Sequence, residues 1–178
     1  NQAQSNAELC NLIASTLINC GLKKDQFIIN VSNRKIIQGL IQDLKIPEEK
    51  QVKVMRAIDK LDKPGFGLKG VEDLLKKERK DKSGAITKGA NLSDDQASQI
   101  IDFLKIKDLK ELKKNFQNSL TLEGINEIEQ LYEILGYGDY SDQVKTNFTI
   151  VRGLAYYDGF CVETNLKFKI TNNKGKEI

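Results

Sequence analysis

Phe27-Ile28-Ile29-Asn30-Val31 puts Phe27, Ile29 and Val31 on one face of an extended chain and Ile28 and Asn30 on the other. That period of two predicts a β-strand with one apolar and one mixed face. On both sides of it the period is helical. Upstream, Ser5 with Glu8 three residues on has the pattern of a capping box, Leu9, Leu12, Ile13, Leu17 and Cys20 follow on one face, and Gly21 supplies a stop. Downstream, Ile36, Ile37, Leu40, Ile41 and Leu44 share a stripe, and Pro47 opens a second helix carrying Glu48, Glu49, Val54, Ile58 and Leu61. A short helix is expected around Val71, Leu74 and Leu75, then a polar, aperiodic loop from Lys80 to Leu92. Ser93 with Gln96 is a second capping box, opening a helix through Ile100, Ile101 and Leu104. Leu109, Leu112 and Phe116 mark another, and Leu122 to Leu135 a longer one closed by Gly136.

The period of two returns in Asn147 to Val151, Phe160 to Glu163, and Leu166, Phe168 and Ile170, which predicts an antiparallel ribbon. Helix, strand, a long helical excursion and late strands together predict an α+β fold, predominantly helical. In it Phe27 to Val31 and the late strands share one sheet.

Composition narrows the chemistry. The chain has 178 residues, 39% of them apolar and 30% charged, with two prolines, as in a helix-rich globular protein. It contains no histidine, which removes imidazole acids, bases, nucleophile partners and metal ligands. Cys10, Cys20 and Cys161 have no C-x-x-C spacing and are odd in number, so neither a zinc site nor a disulfide framework is indicated, no metal site is expected, and a reducing cytoplasm is the natural compartment. No apolar run is long enough to span a bilayer, so no membrane partner is expected. The first residue is Asn1 and the single methionine is Met55, which suggests a piece of a longer chain.

Net charge is +3, unevenly spread: +2 over residues 1–59, +4 over 60–114 and −3 over 115–178. The middle segment therefore holds the basic candidates. Lys105, Lys107, Lys110, Lys113 and Lys114 are either a solvated helix face, since Asp108 and Glu111 are interleaved, or a phosphate-contacting surface. Gly65-Phe66-Gly67-Leu68-Lys69-Gly70 spells G-x-G-x-x-G, but a helical stripe ending at Pro64 precedes it where a dinucleotide loop requires a strand. Arg152-Gly153-Leu154-Ala155-Tyr156-Tyr157 places a forked cation beside two phenols. Such a group can hold an anion next to a polar ring; it can equally be two packed tyrosines and a hairpin arginine.

Ile150 to Glu163, IVRGLAYYDGFCVE, resembles the histidine-binding signature of the histidyl-tRNA synthetase family, R-G-L-D-Y-Y-T-G followed by V-F-E. Asn6-Ala7-Glu8-Leu9 is similar to the start of that family's helix after motif 2, and Asn30 to Lys35 to its post-strand Asn-x-Arg segment. Val54 to Lys63 and Lys80 to Leu92 are similar to its insertion region in a bacterial branch. Ala155 and Asp158 depart from the signature. The resemblance implies a class II fold with an antiparallel catalytic sheet, residues 1–32 and 139–178 being catalytic-domain pieces and 33–138 a helical insertion domain. It implies a parent ligase, homodimeric, that uses ATP and Mg2+ to activate histidine and transfers it to tRNA(His), whose acceptor arm the insertion contacts through the lysines named above. Arg152 then serves the α-phosphate as the catalytic residue, while Gly153, Tyr156 and Tyr157 bind histidine. The isolated segment is expected to be inactive and to hold no cofactor, because motifs 1, 2 and 3 lie outside it. The alternatives are a non-catalytic synthetase-like regulatory subunit of histidine biosynthesis, which is expected to lack the long helical insertion, and a helical RNA-binding module.

Overall fold

The computed structural model describes residues 2–80, 86–151, 159–172 and 175. Helix α1 (Gln2–Asn19) leads into strand β1 (Phe27–Asn33), which runs without a spacer into α2 (Arg34–Asp43). Next come α3 (Glu48–Ile58), α4 (Gly67–Lys76), the short strands β2 (Arg79–Lys80) and β3 (Ile86–Thr87), α5 (Asp94–Lys105), α6 (Leu109–Asn115) and α7 (Ser119–Leu135). Strands β4 (Val144–Thr146) and β5 (Phe160–Leu166) follow.

The expectation of one shared sheet holds, with β1 at its centre in the order β4-β1-β5. The pairing is mixed where a wholly antiparallel ribbon was expected. β5 runs antiparallel to β1, from Phe27 opposite Leu166 to Asn33 opposite Phe160, while β4 runs parallel, with Ile29 opposite Val144. Asn147 to Val151 is no strand: Asn147 donates to Val31 O at 2.9 Å and the chain then turns, Ile150 donating to Asn147 O. The alternation of Phe168 and Ile170 is not used either. β1 begins at Phe27; just beyond Leu166, Lys167 N still bonds Gln26 O at 2.7 Å, and both apolar side chains stay about two-fifths exposed.

Two apolar clusters form the core. Phe27, Ile29 and Val31 pack with Ala7, Cys10 and Ala14 of α1 and with Ile128, Leu131 and Leu135 of α7. Burying each of these strand side chains is worth about 1.5–3 kcal/mol. The second cluster joins α2 to α5 with Ile125 of α7, Phe148 and Val151. α1 buries a different face from the expected stripe. The helix begins at Gln2, so Ser5 lies inside it; Ala3, Ala7, Cys10 and Ala14 face inward, Ile13 and Leu17 of the expected stripe pack partly buried beside them, and Leu9 and Leu12 are 39% and 63% exposed. Small side chains let α1 lie close on α7 and β1. Burial pushes the Cys10 thiol up to about 11, which keeps it protonated at neutral pH.

Several local expectations are met. Gly21, at φ +94°, ends α1 with Leu22 N bonded to Leu17 O and Gly21 N to Ile18 O, a Schellman turn. Ser93 and Gln96 form their reciprocal capping box, both bonds at 3.2 Å. Gly65 and Gly67 connect two helices, α3 and α4, with no strand before them. The loop expected from Lys80 contains the β2-β3 pairing, Arg79 opposite Thr87. Arg79 secures it: its guanidinium lies 4.2 Å from the Phe66 ring centroid and Nη2 donates to Gly65 O at 2.7 Å.

The last helix of the excursion packs on the first. A Cβ on Gly39 of α2 would stand 2.8 Å from the backbone nitrogen of Thr121 in α7, and one on Gly124 would stand 2.9 Å from Ile36 Cγ1. Thr121, itself buried, donates to Ile36 O at 3.1 Å. Because the obstacle at Gly39 includes backbone, Gly39→Ala forces the helices apart and costs about 2–3 kcal/mol. For a chain of this size a melting curve should show a Tm lower by roughly 4–12 °C; an unchanged Tm would mean the crossing is looser than described.

Candidate functional site

The signature residues Arg152, Gly153, Tyr156 and Tyr157, with the departures Ala155 and Asp158, lie outside the described residues. Their two flanks are described, and each is fastened to β1 or α2. On the N-terminal side Asn147 Oδ1 accepts from Thr149 N at 3.1 Å and from Thr149 Oγ1 at 2.7 Å, fixing the turn after β4, and Val151 is buried in the helical core. On the C-terminal side Gly159 O accepts from Arg34 N at 2.8 Å, Phe160 pairs with Asn33, and Cys161 is buried. β4 and β5 lie on opposite edges of β1, so the chain from Val151 to Gly159 links the two edges.

The junction between β1 and α2 is polar and buried. Asn33, 1% exposed, caps α2 by accepting from Lys35 N at 3.1 Å. Its Nδ2 donates to Glu127 Oε2 of α7, whose other oxygen receives Lys35 Nζ; Lys35 also reaches Glu123 at 2.6 Å. Glu127 therefore accepts from the cap residue and from the first turn of the capped helix. Lys35 is held above the usual lysine range, first by its bond to Glu123 and then by its bond to Glu127. Across the sheet the mixed face of β1 carries Asn30 and Ser32, and the Asn30 amide bonds Asn165 of β5.

The five candidate lysines are all exposed and fall into two groups. Lys105 and Lys107 line a cavity that also includes Asn30 and Thr146 to Thr149, beside the N-terminal flank of the signature. Lys110, Lys113 and Lys114 belong to α6 and do not line it. Lys105 pairs with Asp102 at 2.8 Å and Lys113 with Glu129 at 2.9 Å, while Lys107, Lys110 and Lys114 make no ion pair among the described residues. Sequence reasoning passes over Asn33, Glu127, Asn147 and Thr149. The available signal is polarity at a strand end, Asn33-Arg34-Lys35, in a segment that otherwise stands out only by its resemblance.

Residues 1–167 match the family described as histidyl-tRNA synthetase. The chain belongs to that family. It is 77% identical over all 178 residues to a histidine–tRNA ligase of Pelagibacter ubique and 37% identical over 98% of its length to one of Rhizobium leguminosarum bv. trifolii. It spans 38% and 36% of those two proteins. In fold it is similar to a histidyl-tRNA synthetase from Nostoc sp., with a TM-score of 0.72 and 25% identity over 92% of this chain and 37% of that one. An ATP phosphoribosyltransferase HisG:HisZ complex from Thermotoga maritima shares the fold over 92% of this chain and 52% of that one, at a TM-score of 0.58 and 15% identity. The helical excursion therefore does not by itself separate the synthetase family from that neighbour; the sequence identity does. No helix among the described residues is long and apolar enough to cross a membrane.

The Glu127 carboxylate carries the junction of β1 and α2 in this synthetase-family chain, so Glu127→Ala leaves Asn33 Nδ2 without its acceptor and Lys35 with Glu123 alone. Denaturant unfolding should show a loss of about 1–3 kcal/mol. Lys35 has a raised folded-state pKa, so its contribution is fully present below about pH 10.4 and fades as the pH rises through the folded value. The difference between wild type and variant should shrink in that alkaline window; a difference constant to high pH would exclude Lys35 from the network.

Proposed function

We propose that this chain is a segment of a cytoplasmic, homodimeric histidine–tRNA ligase, in which residues 1–32 and 139–178 belong to the catalytic domain and 33–138 to the helical insertion. The observation that carries the reading is the 77% identity over the whole chain with a protein named as such a ligase. The fastening of the signature's C-terminal flank to the β1-α2 junction and of its N-terminal flank to β1 and the helical core supports it, because a binding segment acts through groups held in place before substrate arrives.

Within that ligase, Arg152 serves the α-phosphate of ATP when the histidine carboxylate attacks phosphorus and pyrophosphate leaves. Its guanidinium stabilises charge that grows in the transition state. Tyr157 offers its hydroxyl to the substrate imidazole, and Gly153 and Tyr156 complete the histidine site. Histidyl-adenylate then passes its acyl group to the terminal ribose of tRNA(His), whose acceptor arm meets the insertion. Among the described residues no cluster of three or more Cys, Asp or Glu side chains could hold a metal ion, and no step is assigned to the Mg2+ that accompanies ATP. The isolated segment lacks the motifs that bind ATP and is inactive alone.

In the full-length ligase, Arg152→Ala should depress histidine-dependent ATP-pyrophosphate exchange by at least a hundredfold in kcat with little change in KM for histidine, as removal of a transition-state donor does. Tyr157→Phe should chiefly raise the KM for histidine, since it leaves a polar substrate group unpaired. Unchanged exchange in Arg152→Ala would remove the catalytic assignment.

RNA contact has its own electrostatic test. Affinity for the acceptor stem should fall with rising salt, because lysine-phosphate contacts release counterions. Charge reversal at Lys110, Lys113 and Lys114 should flatten that dependence by roughly one logarithmic unit of slope for each phosphate no longer neutralised. A salt slope that the triple variant leaves untouched would move the contact surface elsewhere.

A further inference from the structure

Gly159, which closes the block that begins at Arg152, is held by hydrogen bonds rather than by packing. A Cβ built on it would meet nothing among the described residues nearer than Gln2 Nε2 at 4.0 Å, while its carbonyl accepts from Arg34 N at 2.8 Å and from Cys161 Sγ at 3.6 Å. Arg34 opens α2, so the direction of its N–H follows from how the first turn of that helix is held. Asn33 holds it. That side chain is 1% exposed; its Oδ1 accepts from Lys35 N at 3.1 Å, and its Nδ2 donates to Glu127 Oε2 on α7.

Capping alone does not call for an amide. An aspartate caps a helix as well as an asparagine does, but when ionised it has no proton to give Glu127; a serine caps with a side chain one atom shorter. The donating half of Asn33 therefore serves something other than the helix end. The anchors along the signature show which groups depend on it. Arg152 follows Val151, which is buried in the helical core, so the N-terminal flank has its own support. Tyr156 and Tyr157 stand three and two residues before Gly159, whose bond to Arg34 N is the nearest described anchor along the chain from them. Resting on the ligase reading above, we propose that Asn33, oriented by Glu127, is a positioning residue for histidine recognition. It touches no substrate. Through the first turn of α2 it fixes the Gly159 carbonyl, and through that carbonyl the tyrosines assigned to the amino acid, while adenylate chemistry at Arg152 depends on the other flank.

The test is histidine-dependent ATP-pyrophosphate exchange by the full-length protein, with Tm measured beside it for each variant. Asn33→Asp keeps the cap, removes the donor and sets two carboxylates together. It should raise KM for histidine about tenfold, short of the hundredfold that a misplacement of about 1 Å can cost, and leave kcat and KM for ATP within about twofold. The double variant Asn33→Asp with Glu127→Gln reverses the bond at unchanged net charge, the new amide donating to the new carboxylate, and should return KM for histidine to within about threefold of wild type. Asn33→Ser keeps a capping oxygen but is too short to reach Glu127; it should show the same rise and decides the matter if Asn33→Asp does not fold. Folded single variants that lose Tm yet keep the wild-type KM for histidine would overturn the assignment, because a purely structural cap behaves that way. A folded reversed pair whose KM stays raised would overturn it too, as would a KM for ATP that rises as much as that for histidine. Exchange by the wild type reports on the ligase reading separately: its absence fails that reading, whereas normal exchange with an unmoved histidine KM in the variants fails the positioning role alone.

Discussion

Where α2 and α7 cross, Gly39 and Gly124 leave no side chain between the helices, and the two backbones approach until Thr121 can donate to Ile36 O. The contact closes the helical excursion. α2 starts at the end of β1, so whatever packs tightly on α2 is delivered back to the sheet, and α7 is followed within a short turn by β4 alongside β1. The ends of α2 reinforce the crossing. Asn118, the N-cap of α7, donates to Asp43 in the last turn of α2, while Asn33 and Lys35 at its start share Glu127. Close backbone packing and two polar clamps fix how the long helical excursion returns to the sheet.

α7 also belongs to both apolar clusters. Ile125 enters the core of α2 to α5, and about one, two and three turns later Ile128, Leu131 and Leu135 pack on α1 and β1. A helix with residues in two cores transmits displacement between them, because close-packed interiors accommodate little local slack. Tyr132 adds a polar contact to the sheet, its hydroxyl accepting from Thr146 Oγ1 at 2.9 Å, and burial raises its pKa.

What the sequence disclosed was local. The period of β1, the Ser93-Gln96 box and the Gly21 stop each depend on neighbours within a few residues, and each is present. The shared sheet was legible too, since a strand isolated by helices needs partners from elsewhere in the chain. The features that escape a sequence reading depend on distant groups. α1 shows a leucine stripe, yet its alanines and Cys10 face inward because α7 and β1 come too close for larger side chains. β2 carries Arg79 and Lys80, with no apolar alternation to announce a strand, and its anchor is Phe66 across a chain reversal. β5 stops at Leu166 because β1 stops opposite it, although the sequence alternates onward. Of the candidate site, the signature was legible as a pattern of residue types, while Asn33 and Glu127 were not, since the bond between them joins positions 94 residues apart.

This arrangement ties both flanks of the signature segment to α2 and its core. Arg34 N is one of the amides at the start of α2 that no helical carbonyl can satisfy, and Gly159 O takes it. The first-turn amides of Arg34 and Lys35 are thus met by the end of the signature and by the Asn33 cap respectively. A displacement of Gly159 away from α2 would leave a buried donor unpaired at a cost of about 1–3 kcal/mol. Val151, at the other flank, is packed in the same core as α2. Both ends of the signature are therefore referred to one rigid body, the helical segment clamped by α7. The helical segment and the two signature flanks are therefore joined by packing and hydrogen bonds, and the β1-α2 junction is where those bonds meet.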